Sequence, residues 1–496
     1  MAHSSFGASR ARGGAADPAR FWLAQAGGAL LALLVLLALA PALGKGLERV
    51  RYTVPSPSPD DGLEGTLLHE AQIVRRGEPL YRPVVADEFV SAPYTPGYTV
   101  VLAAWPLDPA APFSAGRTIS LVAMLLVGAG IGLFVGLHTR LWWLGLIAAL
   151  CWLAFAPAQL WGTRLKPDAL ALACTTLGLC LASVRDGRLA AWSAIPFALA
   201  FLTKQTALLA PFAVGLNLLF TNHRRAIHYG LVCALAFAAP YFSLDVATGG
   251  WASAHIWGLH QRSWWSFALF WKYVELLKWS LPLVGLALLA LPEARRNHAY
   301  RQALLFMVAA PAAMYGAGEI GAHHNHLLEP MLAFTLAGGL GAGLAFRRWG
   351  DGLGRRLAVG AAALLLVIQG LALRETPAWY GGEFFPPSLE RYVTYLSSKP
   401  GPVLADNVAL VVSAGKPLPF DDPSTMGPAI RSGLWDPAKL HEAIRARQFD
   451  AILLEVDIEA ETKDASGRWT DETLELIKAH YQLEFRDTLK AYVPRP

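Results

Sequence analysis

The sequence predicts a mainly α-helical bundle that crosses a membrane many times, with about 11–13 spans, followed by a small extracytoplasmic α/β domain. Three observations carry this prediction. Only 16% of the 496 residues are charged while 54% are hydrophobic, and a soluble domain is about a quarter charged. The apolar residues gather in runs, one reading Ala29-Leu-Leu-Ala-Leu-Leu-Val-Leu-Leu-Ala-Leu-Ala40, and several reach the roughly 20 residues that a span requires. After Leu373 the composition changes, and residues 374–496 hold many charges and no run of that length. Many of the 17 tryptophans, such as Trp142, Trp143, Trp161, Trp251, Trp264 and Trp265, sit near the ends of apolar runs, where interfacial aromatic rings belong.

The first run, residues 21–43, follows Arg10, Arg12 and Arg20, and Ala38-Leu-Ala40 resembles a signal-cleavage site. The run is longer than a secretory core and Pro41 would follow the scissile bond, so it is read as the first span. Further runs occupy 112–137, 141–160, 167–184, 189–203, 205–220, 227–246, 267–291, 301–318, 327–346 and 354–373; the stretch 96–106 is too brief to span and is read as a re-entrant or surface helix. Basic loops lie at His138–Arg140, Arg185–Arg188, Asn222–Arg225, Glu293–Arg301 and Arg347–Arg356. With the N-terminus in the cytoplasm and about eleven crossings, every basic loop falls inside, as positive-inside topology requires. The loop 44–111 and the segments 161–166, 203–206, 247–266, 319–326 and everything after 374 then fall outside. This divides the chain into a transmembrane domain, 1–373, with an external loop at 44–111, and a soluble domain, 374–496.

In the soluble domain, Val403–Asp406, Ala451–Glu455 and Lys490–Val493 read as strands, and Pro387–Ser397, Pro437–Arg447 and Asp471–His480 as helices. Strands alternating with helices give a small α/β unit. The net charge of +5 resides in the short loops, so nucleic-acid binding is not indicated. All four cysteines (Cys151, Cys174, Cys180, Cys233) fall in apolar runs, which leaves the outer domain without a disulfide.

The unusual polar residues collect on the outer side. The first loop holds Asp60, Asp61 and Glu64, then Arg75, Arg76 and Tyr81, then Asp87-Glu88, then Tyr94 and Tyr98. Arg164, Lys166 and Asp168 lie at a span end, Lys204 and Gln205 in an apolar hairpin, and Glu319, His323, His324, Asn325, His326 and Glu329 around the last outer segment. Ionisable groups at membrane depth face a cavity or a partner. A carboxylate there can take a proton from a hydroxyl, and cations at span ends can hold a phosphate. Each group also has a plainer reading. The first-loop acids suit the first turn of a helix beginning near Glu64, Arg164 and Lys166 suit snorkelling anchors, and Asp168 suits an ion-pair partner of Arg164 four residues earlier. The histidine cluster has metal-ligand chemistry, but adjacent histidines reach one ion only where the backbone bends, so hydrogen bonds to phosphate or sugar are the simpler role. His255, His260 and Arg262 among tryptophans read as an interfacial belt.

Taken in order, Asp61-x-x-Glu64-Gly65, Gly77-x-x-Leu80-Tyr81 and Tyr94-x-Pro96-x-Tyr98 resemble the first external loop of the GT-C glycosyltransferase superfamily, in particular the bacterial protein mannosyltransferase and aminoarabinose transferase branch. Arg164-x-x-x-Asp168, Leu202-Thr-Lys204-Gln205 and Asn325-His326-Leu-Leu-Glu-Pro330 resemble further motifs of that family, and Ala405-Asp-Asn407 through Asp421-Asp-Pro423 resemble its soluble tail. The resemblance implies transfer of a monosaccharide from a polyprenyl-phosphate donor to a lipid, glycan or protein hydroxyl, with inversion, at the outer face of a bacterial inner membrane. It implies Glu64 first, then Asp61 or Asp60, as the base, and Arg164, Lys166 and Lys204 as phosphate ligands, with Asp168, Gln205, His324, Asn325, His326, Tyr94 and Tyr98 around the substrate. Relatives often show an adjacent Asp-Glu pair where this chain has Asp60-Asp61 and then Glu64. Some members use a divalent ion, magnesium or manganese, and others none, so no cofactor is assigned. The rival readings are a transporter or flippase of lipid-linked glycans, against which the absence of an internal repeat counts, and a non-catalytic scaffold of the same fold.

Overall fold

The computed structural model describes residues 18–184, 187–259, 265–319, 321–347, 352–460, 464 and 467–496. Arg10, Arg12, Arg185, Arg348, His260, Arg262 and Trp264, which figure in the sequence reading, lie outside the described residues.

Every apolar run becomes a helix or a chain of helices. Five are long and apolar enough to cross a membrane: Gly27–Thr53, Ser114–Thr139, His223–Ala247, His324–Arg347 and Leu353–Ala378. Shorter apolar helices at Trp142–Ala154, Asp168–Ser183, Ala190–Thr203 and Leu209–Leu219 fill in between them. The expected single spans at 267–291 and 301–318 are instead broken. The first runs as Phe267–Val274, a 3₁₀ segment Glu275–Ser280 and Leu281–Leu288; the second runs as His298–Ala309 and a 3₁₀ segment Ala310–Gly318. Pro282 and Pro311 explain the breaks, since each removes an amide donor and crowds the preceding turn. The stretch 96–106 forms the helix Gly97–Ala104, only about 12 Å long at 1.5 Å per residue.

The bundle is organised around His324–Arg347, 89% of whose apolar window is buried, whereas His223–Ala247 buries 6% and lies at the lipid-facing periphery. The central helix is approached closely at its glycines: a Cβ on Gly338 would stand 2.7 Å from the Leu283 carbonyl and one on Gly341 2.2 Å from that of Leu286. Small residues at such crossings let membrane helices pack backbone to backbone. Because the helices alternate in direction, their ends segregate. Arg49, Arg117, Trp161, Asp168, Lys204 and His324 come together at one end, and His138, Arg140, Arg296, His298 and Arg347 surround a cavity of about 710 Å³ at the other.

The C-terminal region forms a four-stranded sheet in the order β1-β2-β4-β3, with β1 Val403–Ala405, β2 Ala451–Leu454, β3 Tyr481–Arg486 and β4 Lys490–Pro494. β1 and β2 pair in parallel, and β2–β4 and β4–β3 are antiparallel. Three strands and the helices Glu390–Ser397, Ala438–Arg445 and Asp471–His480 occupy the expected stretches. β3 and the helices Val408–Ser413 and Pro423–Arg431 are additional.

The first loop is what fastens this domain to the bundle. Its helix, Leu63–Arg75, touches the Val408–Ser413 helix so closely that a Cβ on Gly65 would lie 2.4 Å from Ala409 Cα. Phe89 N donates to the Pro419 carbonyl at 2.8 Å and Asp421 N returns to the Phe89 carbonyl at 3.0 Å, while the Phe89 ring packs on Trp435 at 4.9 Å. Two acids are buried in the same seam. Burial, and then Asp422, push Asp421 well above the ordinary carboxylate range, and burial with Asp421 and Asp422 does the same to Glu70.

Two outcomes follow from the seam. Gly65→Val forces the two helices apart and is expected to cost about 1–3 kcal/mol, read as a lower thermal midpoint and faster proteolytic release of the C-terminal domain. The raised acids make docking strongest below their unfolded pKa of about 4 and weaker as pH rises through their higher folded values. Thermal unfolding followed against pH should show that loss in the native chain and a flatter profile in Glu70→Gln.

Candidate active site

The site is built on a buried ion-pair layer at the end of the bundle where the first loop begins. Asp60 Oδ2 lies between Arg49 Nη2 at 2.8 Å and Arg164 Nε at 2.5 Å. Arg49, at the end of the first long helix, also donates to Thr163 Oγ1 at 2.8 Å and to the Phe384 carbonyl. Glu64, in the first turn of the loop helix, receives Arg117 through Nε at 2.9 Å and Nη2 at 2.6 Å. It also accepts from Leu165 N and Asp60 N, each at 2.9 Å. Arg117 spends its remaining donors on the carbonyls of Thr53, Ser56 and Ser58. Neither Glu64 nor Arg117 has exposed side-chain surface.

In front of this layer opens a cavity of about 640 Å³. Asp60 and Asp61, Tyr94, Trp161, Lys166 and Asp168, Lys204 and Gln205, and His323, Asn325 and His326 all line it. Two ion pairs stand in its wall: Asp61 Oδ1 with Lys166 Nζ at 2.8 Å, and Asp168 with Lys204. Gln205 Nε2 donates to the Pro93 carbonyl at 2.9 Å, and His326 Nδ1 stands 3.1 Å from the Ala313 carbonyl. The far wall belongs to the C-terminal domain: Asp406, Asn407, Ser424 and Arg468 face the same space.

Charge is what distinguishes the acids. Burial works against ionisation of Asp61, but Lys166, Arg164 and His323 outweigh it and hold the carboxyl below its usual range. Burial likewise opposes the charge on Asp60, and Arg164 and Arg49 overcome it. Burial lowers the His323 imidazole although Asp61 pulls the other way.

The geometry reorders the expected roles. Glu64, ranked first as base, is absent from the cavity wall, and both its oxygens are filled by Arg117, Leu165 N and Asp60 N. Asp61, ranked second, faces the cavity. Arg164, expected to hold a phosphate, stands behind Asp60, 5.0 Å from the Trp161 ring, and its pairing with Asp60 replaces the expected pairing with Asp168, which goes to Lys204. Tyr98, expected at the substrate, is buried and donates to the Gly116 carbonyl at 3.0 Å. His324 stands behind His323, against Tyr380 at 4.5 Å. Sequence reasoning passed over Arg49 and Arg117. Arg117 carried a signal, a charge five residues into the 112–137 run; Arg49, outside its apolar run, carried none.

No family model matches the sequence, and no curated protein does. The fold has solved counterparts. The crystal structure of ArnT from Cupriavidus metallidurans in the apo state aligns over 96% of this chain and 98% of that one, with a TM-score of 0.56 at 13% identity. The same protein bound to undecaprenyl phosphate aligns over 92% and 97%, with a TM-score of 0.54 at 12% identity. The chain has a GT-C-type fold, that of ArnT. The alignment spans the bundle and the C-terminal domain alike, so the helical bundle with its small sheet is shared by both chains.

Removing Arg117 would leave Glu64 charged, buried and unpaired, which costs about 3–5 kcal/mol. Arg117→Met should therefore lower the midpoint of chemical unfolding substantially, and Arg117→Met with Glu64→Leu should recover much of the loss.

Proposed function

We propose that this chain is an inverting glycosyltransferase that moves a monosaccharide from a polyprenyl-phosphate donor to a hydroxyl of a lipid, glycan or protein acceptor. The observation that carries this reading is the cavity in which an ionised carboxylate, Asp61, and two lysines, Lys166 and Lys204, share a wall with the ring of Trp161. The solved ArnT complex with undecaprenyl phosphate supports the donor class, because a chain of the same fold accommodates that lipid. The clustering of Arg140, Arg296 and Arg347 at the opposite end supports a cytoplasmic location for that end and an extracytoplasmic one for the cavity and the C-terminal domain, in a bacterial inner membrane.

In this reading the acceptor oxygen attacks the anomeric carbon as the bond to the phosphate oxygen breaks. The hydroxyl proton passes to Asp61 and the lipid phosphate departs with the bonding pair. Inversion demands attack opposite the leaving group. Lys204, which is not paired to Asp61, therefore suits the departing phosphate. Lys166 links the two halves of the reaction: a phosphate drawing on its ammonium loosens its hold on Asp61 and makes that carboxylate a better base when a donor is bound. Asp168 and Gln205 position Lys204 and the loop at Pro93. Asp60, Arg49 and Arg164 fix the backbone that presents Asp61. Asp406, Asn407 and Ser424 of the C-terminal domain face the cavity from the side where an acceptor would enter.

The test is transfer by purified protein in lipid from a panel of polyprenyl-phosphate monosaccharides. Asp61→Asn is expected to reduce turnover by about 10²–10⁴-fold, the usual weight of a general base, with donor binding retained. Lys204→Ala is expected to weaken donor binding at least tenfold. Full transfer by Asp61→Asn would remove the assigned base.

A further inference from the structure

At the edge of the cavity, three side chains come together in an arrangement that the transfer chemistry does not use. His323, His324 and Glu383 each offer one ligand atom, and these atoms all lie within 4.8 Å of one another. We infer that His323, His324 and Glu383 form a divalent transition-metal site of the zinc class at the edge of the cavity.

The backbone supplies the bend that adjacent histidines need to reach one ion. His323 is extended, with φ −129° and ψ −173°, and His324 opens the 3₁₀ turn His324–Leu327. The change of direction between them brings both rings against the same face of the site, each 6.3 Å from the Trp161 ring. Tyr273 at 5.1 Å and Tyr380 at 4.5 Å hold the His324 ring edge-on, which fixes its direction as a ligand requires. Glu383 enters from the short helix Gly381–Phe384, which follows the last long helix.

His324 and Glu383 approach without a well-formed hydrogen bond, while Arg164 donates to the carboxylate. His324 Nδ1 is buried without a hydrogen-bond partner, yet it stands 3.5 Å from Glu383 Oε1. With the ring proton on Nε2, a cation seated between Nδ1 and the carboxylate oxygen would bridge the two. Arg164 Nη1 lies 3.3 Å from the same Glu383 oxygen, but its Nε is committed to Asp60 at 2.5 Å, so its charge is shared between two acids. Two imidazoles and one carboxylate are the ligand set of an open zinc site, with a fourth position left for water or substrate. Magnesium, by contrast, demands oxygen ligands. His323 lines the cavity, so that fourth position opens toward the space assigned to the donor. An ion there would add positive charge beside Lys166; this role rests on the transferase reading, whereas the metal site itself does not.

The experiment is zinc binding to the full chain, purified without a polyhistidine tag, stripped with chelator and titrated with Zn²⁺ by calorimetry, with metal content measured after desalting. The inference predicts one equivalent per chain, weakened at least tenfold by His323→Ala, His324→Ala or Glu383→Gln, and unchanged by Glu319→Gln. Thermal melts identify any variant that fails to fold; His323→Ala, whose ring is exposed to the cavity, then decides the matter. Cobalt substitution should give visible bands of a four-coordinate ion in the native chain and none in His323→Ala. Absence of stoichiometric zinc, or binding that survives the His323 and His324 substitutions, would overturn the inference and leave His324 as a neighbour of Glu383 alone. Because binding is read without transfer, an inactive but zinc-loaded protein would count against the proposed function alone.

Discussion

The structure depends on keeping two carboxylates charged at the edge of an apolar bundle. Asp60 and Glu64 are buried, and a buried carboxylate is tolerated only where cations and hydrogen bonds replace its lost water. Three arginines from three separate helix ends supply that replacement: Arg49 from the first long helix, Arg117 from the second and Arg164 from the turn before Asp168. Each pair ties the first loop to a different part of the bundle. The layer therefore fixes where the loop leaves the membrane helices, and with it the direction of Asp61. A buried ion-pair layer contributes little net stability. Its consequence here is position, since a carboxylate with all partners taken cannot swing, and the neighbouring one is left as the acid that meets the cavity.

From that layer the architecture extends in two directions. Toward the bundle, the glycine-bearing central helix lets Leu281–Leu288 approach to backbone contact, and its start carries His323, Asn325 and His326 into the cavity. Toward the C-terminal domain, the loop helix uses Gly65 to lie against Val408–Ser413 and places Asp406 and Asn407 opposite Asp61. The cavity thus has a bundle wall rich in cations and aromatic rings and a C-terminal-domain wall rich in amides, hydroxyls and acids. Such a division suits a substrate with a lipid phosphate on one side and a polar acceptor on the other.

Much of this was legible in the sequence, for physical reasons. Apolar runs of span length have few alternatives to a helix in lipid, so the bundle could be read with its approximate limits. Charges set among apolar residues, such as Lys204, must meet a partner, and this marked most of the cavity wall. What the sequence could not supply was pairing. The acids Asp60, Asp61 and Glu64 look alike in one dimension; only the arrival of Arg117, 53 positions away from Glu64, separates the saturated acid from the open one. Arg164 was recognised as special but assigned to Asp168 by its four-residue spacing, whereas the chain turns between them and sends it to Asp60. Tyr98 shares a motif with Tyr94 yet points into the packing against Gly116. The strand Tyr481–Arg486 did carry its signal, an alternation of Tyr, Leu and Phe with Gln, Glu and Arg, which the neighbouring helix obscured. The convergence of His324 with Glu383 depends on a backbone bend that spacing alone does not report.

We place the donor's phosphate at the cations of the cavity wall. The direct measurement is an experimental structure of the protein in a lipid nanodisc with undecaprenyl phosphate. The phosphate is expected within hydrogen-bonding distance of Lys204 and near Lys166, with Asp61 turned toward the remaining open space and Glu64 still clasped by Arg117. A phosphate bound elsewhere, with the Asp61–Lys166 and Asp168–Lys204 pairs undisturbed and out of its reach, would contradict that placement.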